Sequence, residues 1–354
     1  MRLTLAAHAL LHDSNKHKYF FENAAKDAVS SQPLVTIGLP VYNAMPYLPE
    51  AVESLLAQCC PDFEILAIVD GATDWSLEYL RTIRDPRLRI LTQPNLGVTA
   101  TLNGMLHECR TPWLIRQDAD DISHPHRVAR LISAIESAPH AGMFYSLANY
   151  HPRMRSIGSF RCSRGTPAQL RAIVRDGYLL SICHPTVALN VEKTLALGGY
   201  RIGLHNEDAD LWWRMALAHE IHCIPEELVG FRQHSSSVSA HNLAGQAVAA
   251  LYIQYLLLSH LTRRAPQSYI SVRHRLQSLL SPAKLRAKEH LRECNIRLAQ
   301  KKHIHAAAAF AASAAASPAH VLGRLRDELA PSVSPIVNGI NPQLFFQHKE
   351  ALWL

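Results

Sequence analysis

The chain has 354 residues, 48% apolar and 18% charged, a balance that builds a sizeable core and excludes wholesale disorder. Its 36 Lys and Arg against 29 Asp and Glu leave a formal charge of +7, which favours anionic partners: nucleotides, lipid headgroups, acidic glycans or nucleic acid. Seven cysteines, an odd number with Cys59 beside Cys60 and no CxxC spacing, argue against a disulfide framework or a zinc cluster and for reduced thiols. The first 32 residues read as a polar extension, in which the apolar run Leu3–Leu11 is broken by His8 and is too short for a signal peptide. No run reaches the roughly 18 apolar residues of a membrane span. The Ala-rich stretch from Ala306 to Ala316 comes nearest and stops at Ser317-Pro318. The expected location is cytoplasmic, at most peripheral to the inner face of a membrane.

From Leu34 the pattern becomes regular. Leu34–Val41 is a β-branched, apolar run, the signature of a buried strand. Pro46–Gln58 carries Leu48, Val52, Leu55 and Leu56 at helical spacing. Strand Phe63–Val69, helix Trp75–Ile83, strand Leu88–Leu91, helix Val98–Glu108 and strand Trp113–Ile115 follow. Such alternation predicts an α/β fold, an open, doubly wound, Rossmann-like and mostly parallel sheet with right-handed crossovers. Ligands of such sheets lie beyond the carboxyl ends of the strands. A helix from Arg127 to Ser137 and a strand at Met143–Tyr145 come next, while residues 151–183 read as irregular, basic and on the acceptor side. Strand Thr186–Leu189, helices Val191–Leu197 and Asp208–His219 and strand Leu228–Phe231 close a unit spanning residues 33–240. Residues 241–354 form a helical, basic C-terminal extension, with helices at Ala244–Leu261, Pro282–Lys301 and His303–Ala316.

Asp118-Ala-Asp-Asp121 puts three carboxylates within four residues at a strand end. Their repulsion is relieved by a hard divalent ion bridging to phosphate, or by solvent in an acidic turn. Asp70-Gly71 also ends a strand, where a carboxylate suits a ribose or base, or simply a turn; Asp74 reads as a helix cap. Glu207-Asp-Ala-Asp210 fits the dipole of a first helical turn, or supplies a general base. With 21 histidines in the chain, His184 and His234 carry little weight singly.

Together and in order, these segments resemble the family 2 glycosyltransferases of the GT-A fold over roughly residues 33–240. The resemblance is carried by Val35–Asn43, Ile68–Asp74, Asn95-Leu-Gly97 with Leu102-Asn103, Arg116–Asp121, His124–Arg127, His184–Val187, Gly198–Arg201, Glu207–Leu211 and Phe231–His234. It implies that Pro40, Tyr42 and Asn43 line a nucleotide pocket and that Asp70 contacts the base. Asn95, Asn103, Arg116, His184 and Glu207 would join the substrate site. Asp118 would lie by the ribose, Asp120 and Asp121 would hold Mn²⁺ or Mg²⁺, His234 would touch metal or phosphate, and Asp208 would be the base of an inverting transfer. The implied donor is a UDP- or dTDP-linked sugar. The implied acceptor is a hydroxyl on a glycan or lipid-linked sugar, in cell-surface polysaccharide or glycolipid synthesis. Val69 and Ala72 depart from the usual aspartate and serine, which leaves the choice of base open. A catalytically inactive GT-A scaffold is the alternative; the retained Asp120, Asp121 and Asp208 speak against it.

Residues 263–302 hold Arg263, Arg264, Arg273, Arg275, Lys284, Arg286, Lys288, Arg292, Arg297, Lys301 and Lys302 among leucines. A cationic amphipathic helix on anionic lipid and a cap packed on the catalytic unit both fit this pattern. Without an aromatic-rich recognition motif, no nucleic-acid partner is expected.

Overall fold

The computed structural model describes residues 33–151, 159–232, 243–329 and 336–353. The N-terminal part runs β1 (Val35–Val41), α1 (Leu48–Leu56), β2 (Phe63–Asp70), α2 (Ser76–Thr82), β3 (Leu88–Gln93), α3 (Val98–Glu108), β4 (Trp113–Arg116), β5 (Ile122–Ser123), α4 (Arg127–Ser137) and β6 (Met143–His151). It continues through α5 (Pro167–Arg175), β7 (Leu179–Leu180), a short 3₁₀ turn (His184–Thr186), β8 (Val187–Asn190), α6 (Val191–Ala196), α7 (Glu207–Ala218) and β9 (Ile221–Arg232). Then come α8 (Leu243–Leu261), α9 (Tyr269–Ser278), α10 (Pro282–Ala299), α11 (His303–Ala316), α12 (Pro318–Leu329), β10 (Val337–Asn338), α13 (Gln343–Gln347) and α14 (Lys349–Trp353).

Eight strands form one sheet in the order β3-β2-β1-β4-β8-β6-β9-β5. β1 is flanked in parallel by β2 and β4, and its residues are buried save the half-buried Pro40, as a central strand of a doubly wound sheet requires. β8 runs antiparallel to both β4 and β6, while β6 and β9 are parallel. The sheet is therefore mostly parallel, with an antiparallel strand at its middle. The carboxyl ends of β1, β2 and β4 deliver Tyr42, Asp70 and the Asp118–Asp121 loop to one edge. Gly71, just past β2, has a φ of +65°, and a Cβ there would lie 2.5 Å from the Asn95 backbone nitrogen. Only glycine lets these two loops meet so closely.

Several parts of the chain differ from the sequence expectation: β5, β7, α9, α12, β10, α13 and α14 have no counterpart in it, and β6 runs on to His151. Within residues 151–183, read as irregular, α5 forms on a complete capping box: Thr166 and Gln169 bond each other's backbone, with Pro167 at the first turn. β9 is also longer than the expected Leu228–Phe231, because a bulge opposite Ser146 and Leu147 lets Pro225 sit in the strand without breaking the pairing.

The boundary near residue 240 divides the chain by secondary structure but not by packing. α8 is apolar on every side, and Leu251, Ile253, Tyr255, Leu257, Phe345 and Leu352 share one buried cluster with Leu102, Tyr145 and Trp212. Its Gln254 is satisfied inside that core by Gly177 O at 2.9 Å and by Ile340 O at 2.7 Å. β10 pairs antiparallel with β7. α10 packs on α11, where Ser313 Oγ donates to Ala287 O at 2.8 Å. Among the described residues no single helix is long and apolar enough to cross a membrane; α11 and α12 pass together on composition but are bent by 112°.

Candidate active site

Carboxylate oxygens of Asp118, Asp120 and Asp121 lie within 4.8 Å of one another. The loop that holds them is fixed from below. Gln117 Nε2 donates to Asp118 O at 3.0 Å and to Asp121 O at 2.8 Å, while its Oε1 accepts from Arg127 Nη1 at 2.6 Å. Arg127 is fully buried and also donates to Arg116 O at 2.6 Å and to Pro185 O. Arg232 closes the loop from β9, its backbone N–H bonding Asp121 Oδ1 and its Nε bonding Asp120 O, both at 2.8 Å. Its guanidinium stacks on Tyr47 and pairs with Glu50. Gln117, Arg127 and Arg232 are not among the site residues expected from the sequence. Each of the three stands inside a matched motif, Arg116–Asp121, His124–Arg127 or Phe231–His234, which is the signal that points to them.

The donor set fits a divalent cation. Asp121 Oδ2 is buried and has no hydrogen-bond partner, and burial, then Asp118 and Asp120, push its carboxyl well above the usual range. An oxygen-only site missing a counter-charge is what Mg²⁺ or Mn²⁺ takes. Arg116, itself buried, pairs with Asp118 at 2.6 Å and restrains that carboxylate.

The other expected residues fall into two groups. Tyr42 is exposed beside this edge, and Asn43 and Asn95 are exposed on the loops after β1 and β3. Asn43 Oδ1 accepts from Thr73 N at 2.7 Å, and Asp74 accepts from Met45 N and Ser76 N at 3.0 Å, so both stitch the β1 and β2 loops together. Asp70 is 4% exposed, and its oxygens already accept from Gln93 Nε2 and Leu96 N at 2.8 Å and from Gly97 N at 2.9 Å. Asn103 bonds Tyr200 O at 2.8 Å and Tyr200 N at 2.9 Å, which makes it a tie between α3 and the loop before α7. His234 lies outside the described residues.

The third wall is the start of α7. Asn206 enters with a φ of +62°, turning Glu207 and Asp208 inward. Desolvation, then Glu207, raise the Asp208 carboxyl to about 7, and Asp118 adds to this, which places the α7 carboxylates in the field of the acidic loop. Glu207 is raised by burial and lowered in turn by Arg116. His184 has its Nε2 2.9 Å from Tyr200 Oη and its ring edge-on to Trp212 of α7. Desolvation and then Arg116 hold it well below the usual histidine range, so it is neutral.

Asp210 does a different job. It is fully buried and bridges Arg214 at 2.7 Å and Arg201 at 3.2 Å. Asp210→Asn leaves the buried Arg214 without its counter-charge, whereas Arg201 is nearly half exposed, and loss of one partner of a buried pair costs about 3–5 kcal/mol. We expect a clear loss of stability in chemical denaturation, with turnover per folded molecule close to the parent; unchanged stability would show the pair to be dispensable.

The Glycosyl transferase family 2 model matches residues 36–193. An uncharacterized glycosyltransferase of Haemophilus influenzae is 30% identical over 213 residues, which cover 57% of this chain and 76% of that protein. The amylovoran biosynthesis glycosyltransferase AmsE of Erwinia amylovora is 29% identical over 199 residues, 54% of this chain and 73% of that protein. Among solved structures, a mannosyltransferase of Pyrobaculum calidifontis in complex with GDP-Man and Mn²⁺ aligns with a TM-score of 0.49 and 18% identity, covering 86% of this chain and 82% of that one. The protein is a glycosyltransferase by class, with an acidic loop at the carboxyl edge of its mostly parallel sheet. It belongs to glycosyltransferase family 2.

Proposed function

We propose that the protein transfers a sugar from a nucleoside-diphosphate sugar to an acceptor hydroxyl with inversion, in the synthesis of a cell-surface polysaccharide or glycolipid on the cytoplasmic side of a membrane. The observation that carries this is the acidic loop, with three clustered carboxylates and a buried, unpartnered oxygen on Asp121. A scaffold that bound no metal-diphosphate would gain stability by losing them. Similarity to AmsE, named for amylovoran biosynthesis, supports the polysaccharide setting.

Asp118, Asp120 and Asp121 would hold Mn²⁺ or Mg²⁺, which when bound offsets the charge that builds on a departing diphosphate. Tyr42, Asn43 and the loop capped by Asp70 flank the nucleotide, with the choice between uracil, thymine and another base left to that loop. Asp208 takes the proton of the acceptor hydroxyl as the acceptor oxygen bonds the anomeric carbon and the bond from that carbon to the diphosphate oxygen breaks. Arg116 fixes Asp118, and neutral His184 keeps the inner wall polar without adding charge. A single displacement on the face opposite the leaving group inverts the centre.

The test is a panel of nucleotide sugars with Mn²⁺, candidate acceptors and a readout of nucleoside-diphosphate release and product anomer. Release from one donor, abolished by EDTA and giving the inverted anomer, is expected. Turnover indifferent to EDTA, or retention at the anomeric carbon, overturns the metal or the stereochemical half of the proposal respectively.

A further inference from the structure

A cavity of about 610 Å³ lies between α7 and the C-terminal helices, and Asp208, the candidate base, is one of its lining residues. None of the three acidic-loop carboxylates lines it. Leu179 and Leu180 of β7 and Trp212 of α7 line it from the sheet side, and all three are buried. Much of the remaining wall belongs to the C-terminal extension: Ala247, Ala250 and Leu251 of α8, Leu279 and Leu280 after α9, and Ile340 beyond β10. The three α8 residues stand at i, i+3 and i+4, on one helical face. Besides Asp208, the charged lining residues are Lys284 and Lys288, both exposed. The wall is therefore mainly apolar, with one carboxylate set among buried side chains.

That wall is held in place by satisfied buried groups. Gln254 of α8, fully buried, accepts from Ile340 N at 2.9 Å and donates to Ile340 O at 2.7 Å. Gly339 has a φ of +99°, and a Cβ there would collide with Gln254 Oε1, so only glycine lets this segment lie against α8. The pairing of β10 with β7 ties the same segment to Leu179 and Leu180. Interiors close-pack where nothing prevents it, so a recess framed in this way is a built feature. Its volume falls within the roughly 300–1,000 Å³ of small-molecule sites, whose walls are mostly apolar with a few placed polar groups. A carboxylate beside an apolar enclosure suits a molecule with a hydroxyl-bearing head and an apolar body. The α8, α9 and Ile340 parts of this wall lie outside residues 36–193, the stretch that the family model matches.

We propose that this cavity seats the acceptor, and that it selects acceptors whose hydroxyl-bearing head is joined to an apolar stem, a hydrocarbon chain or an aryl ring. The head meets Asp208, and the stem lies against Leu251, Leu279, Leu280 and Ile340. The assignment rests on the transferase reading given above and narrows its acceptor class. Choice of acceptor is then a property of the C-terminal extension, while the acidic loop handles the donor.

The test is equilibrium binding to the full chain of n-octyl, phenyl and methyl β-D-glucoside, each kept below micelle formation. The octyl or the phenyl glucoside should bind at least about tenfold tighter than the methyl, since burying two methylene groups at about 0.8 kcal/mol each already gives that ratio. A preference for octyl identifies a chain-like, lipid-type stem, and one for phenyl alone a ring-type stem. Ala250→Phe, which adds a ring to the cavity wall, should remove the preference while UDP with Mn²⁺ still binds. If that variant fails to fold, Leu344→Gln, at a cavity position on α13 that is 36% exposed, should lower the preference about threefold, close to one methylene's burial. Equal binding of all three glucosides, or a preference undiminished in whichever variant folds, overturns the proposal. UDP titration of the parent with Mn²⁺ separates the two levels: UDP binding without a stem preference sinks the acceptor assignment alone, and absence of nucleotide binding sinks the transferase reading.

Discussion

Asp208→Asn lowers kcat by roughly 10²–10⁴-fold, the usual cost of removing a general base, and leaves donor affinity near the parental value. Asparagine keeps the shape of the side chain and can still accept the Ala209 N–H that Asp208 Oδ1 holds at 2.7 Å. What disappears is the capacity to take a proton. The pH dependence makes the assignment sharper. Burial and Glu207 raise this carboxyl to about 7, so the base is ionised above that pH and protonated below it. Parental kcat should therefore climb with pH and level off above neutrality, the Glu207–Asp208 pair titrating together. In Asp208→Asn the residual rate should lose that rise. A variant within a few-fold of the parent, or one that is slow but keeps the parental acid limb, would falsify the role of Asp208. Glu207→Gln is the control, since Glu207 interacts with Arg116 and is expected to matter less for the proton.

Asp121→Asn should uncouple stability from metal dependence. In the folded chain this carboxylate is buried, faces two others and leaves Oδ2 without a partner. Asparagine still accepts the Arg232 N–H through its carbonyl oxygen, and it removes one negative charge from the cluster. In EDTA the variant should melt higher than the parent, by about 2–4 °C for each kcal/mol of relieved repulsion and desolvation. Addition of Mn²⁺ should raise the parent's melting temperature by mass action and the variant's far less. Metal affinity should fall by more than the roughly 10–100-fold typical of losing an outer partner of a metal site. The idea is sunk if the variant is less stable than the parent in EDTA while still gaining as much from Mn²⁺.

Residues 33–116 were legible because each element announces itself. β1 and β2 are continuous apolar runs and α3 has its full extent, Val98–Glu108, in the apolar periodicity. The acidic loop was legible for the opposite reason, since three carboxylates within four residues are hard to reconcile with a strand end. Its supports were not. Gln117, Arg127 and Arg232 reach the loop from positions up to 112 residues apart, and only folding brings them together. α5 was missed although its capping box and Pro167 were in plain sight, because its apolar residues Leu170, Ile173 and Val174 are few among polar neighbours. Asn103 matched a motif, yet its amide is occupied by the Tyr200 backbone, a partner 97 residues away that no local pattern predicts.

The pairing of β10 with β7 bears on how the protein is made. Asn338 and Val337 complete a ribbon with Leu179 and Leu180, Tyr255 Oη donates to Leu352 O at 2.7 Å, and Trp353 Nε1 reaches Ser259 Oγ at 2.8 Å. A ribosome that has finished β9 has released every strand of the large sheet, but the cavity still lacks the wall that residues 338–341 and Leu344 provide. The nascent chain can thus assemble the edge that carries the acidic loop well before it can close this cavity. A stalled or clipped product missing the final 18 residues of the described chain, 336–353, would leave α8 with bare apolar flanks, a ready target for quality-control proteases rather than a half-working enzyme.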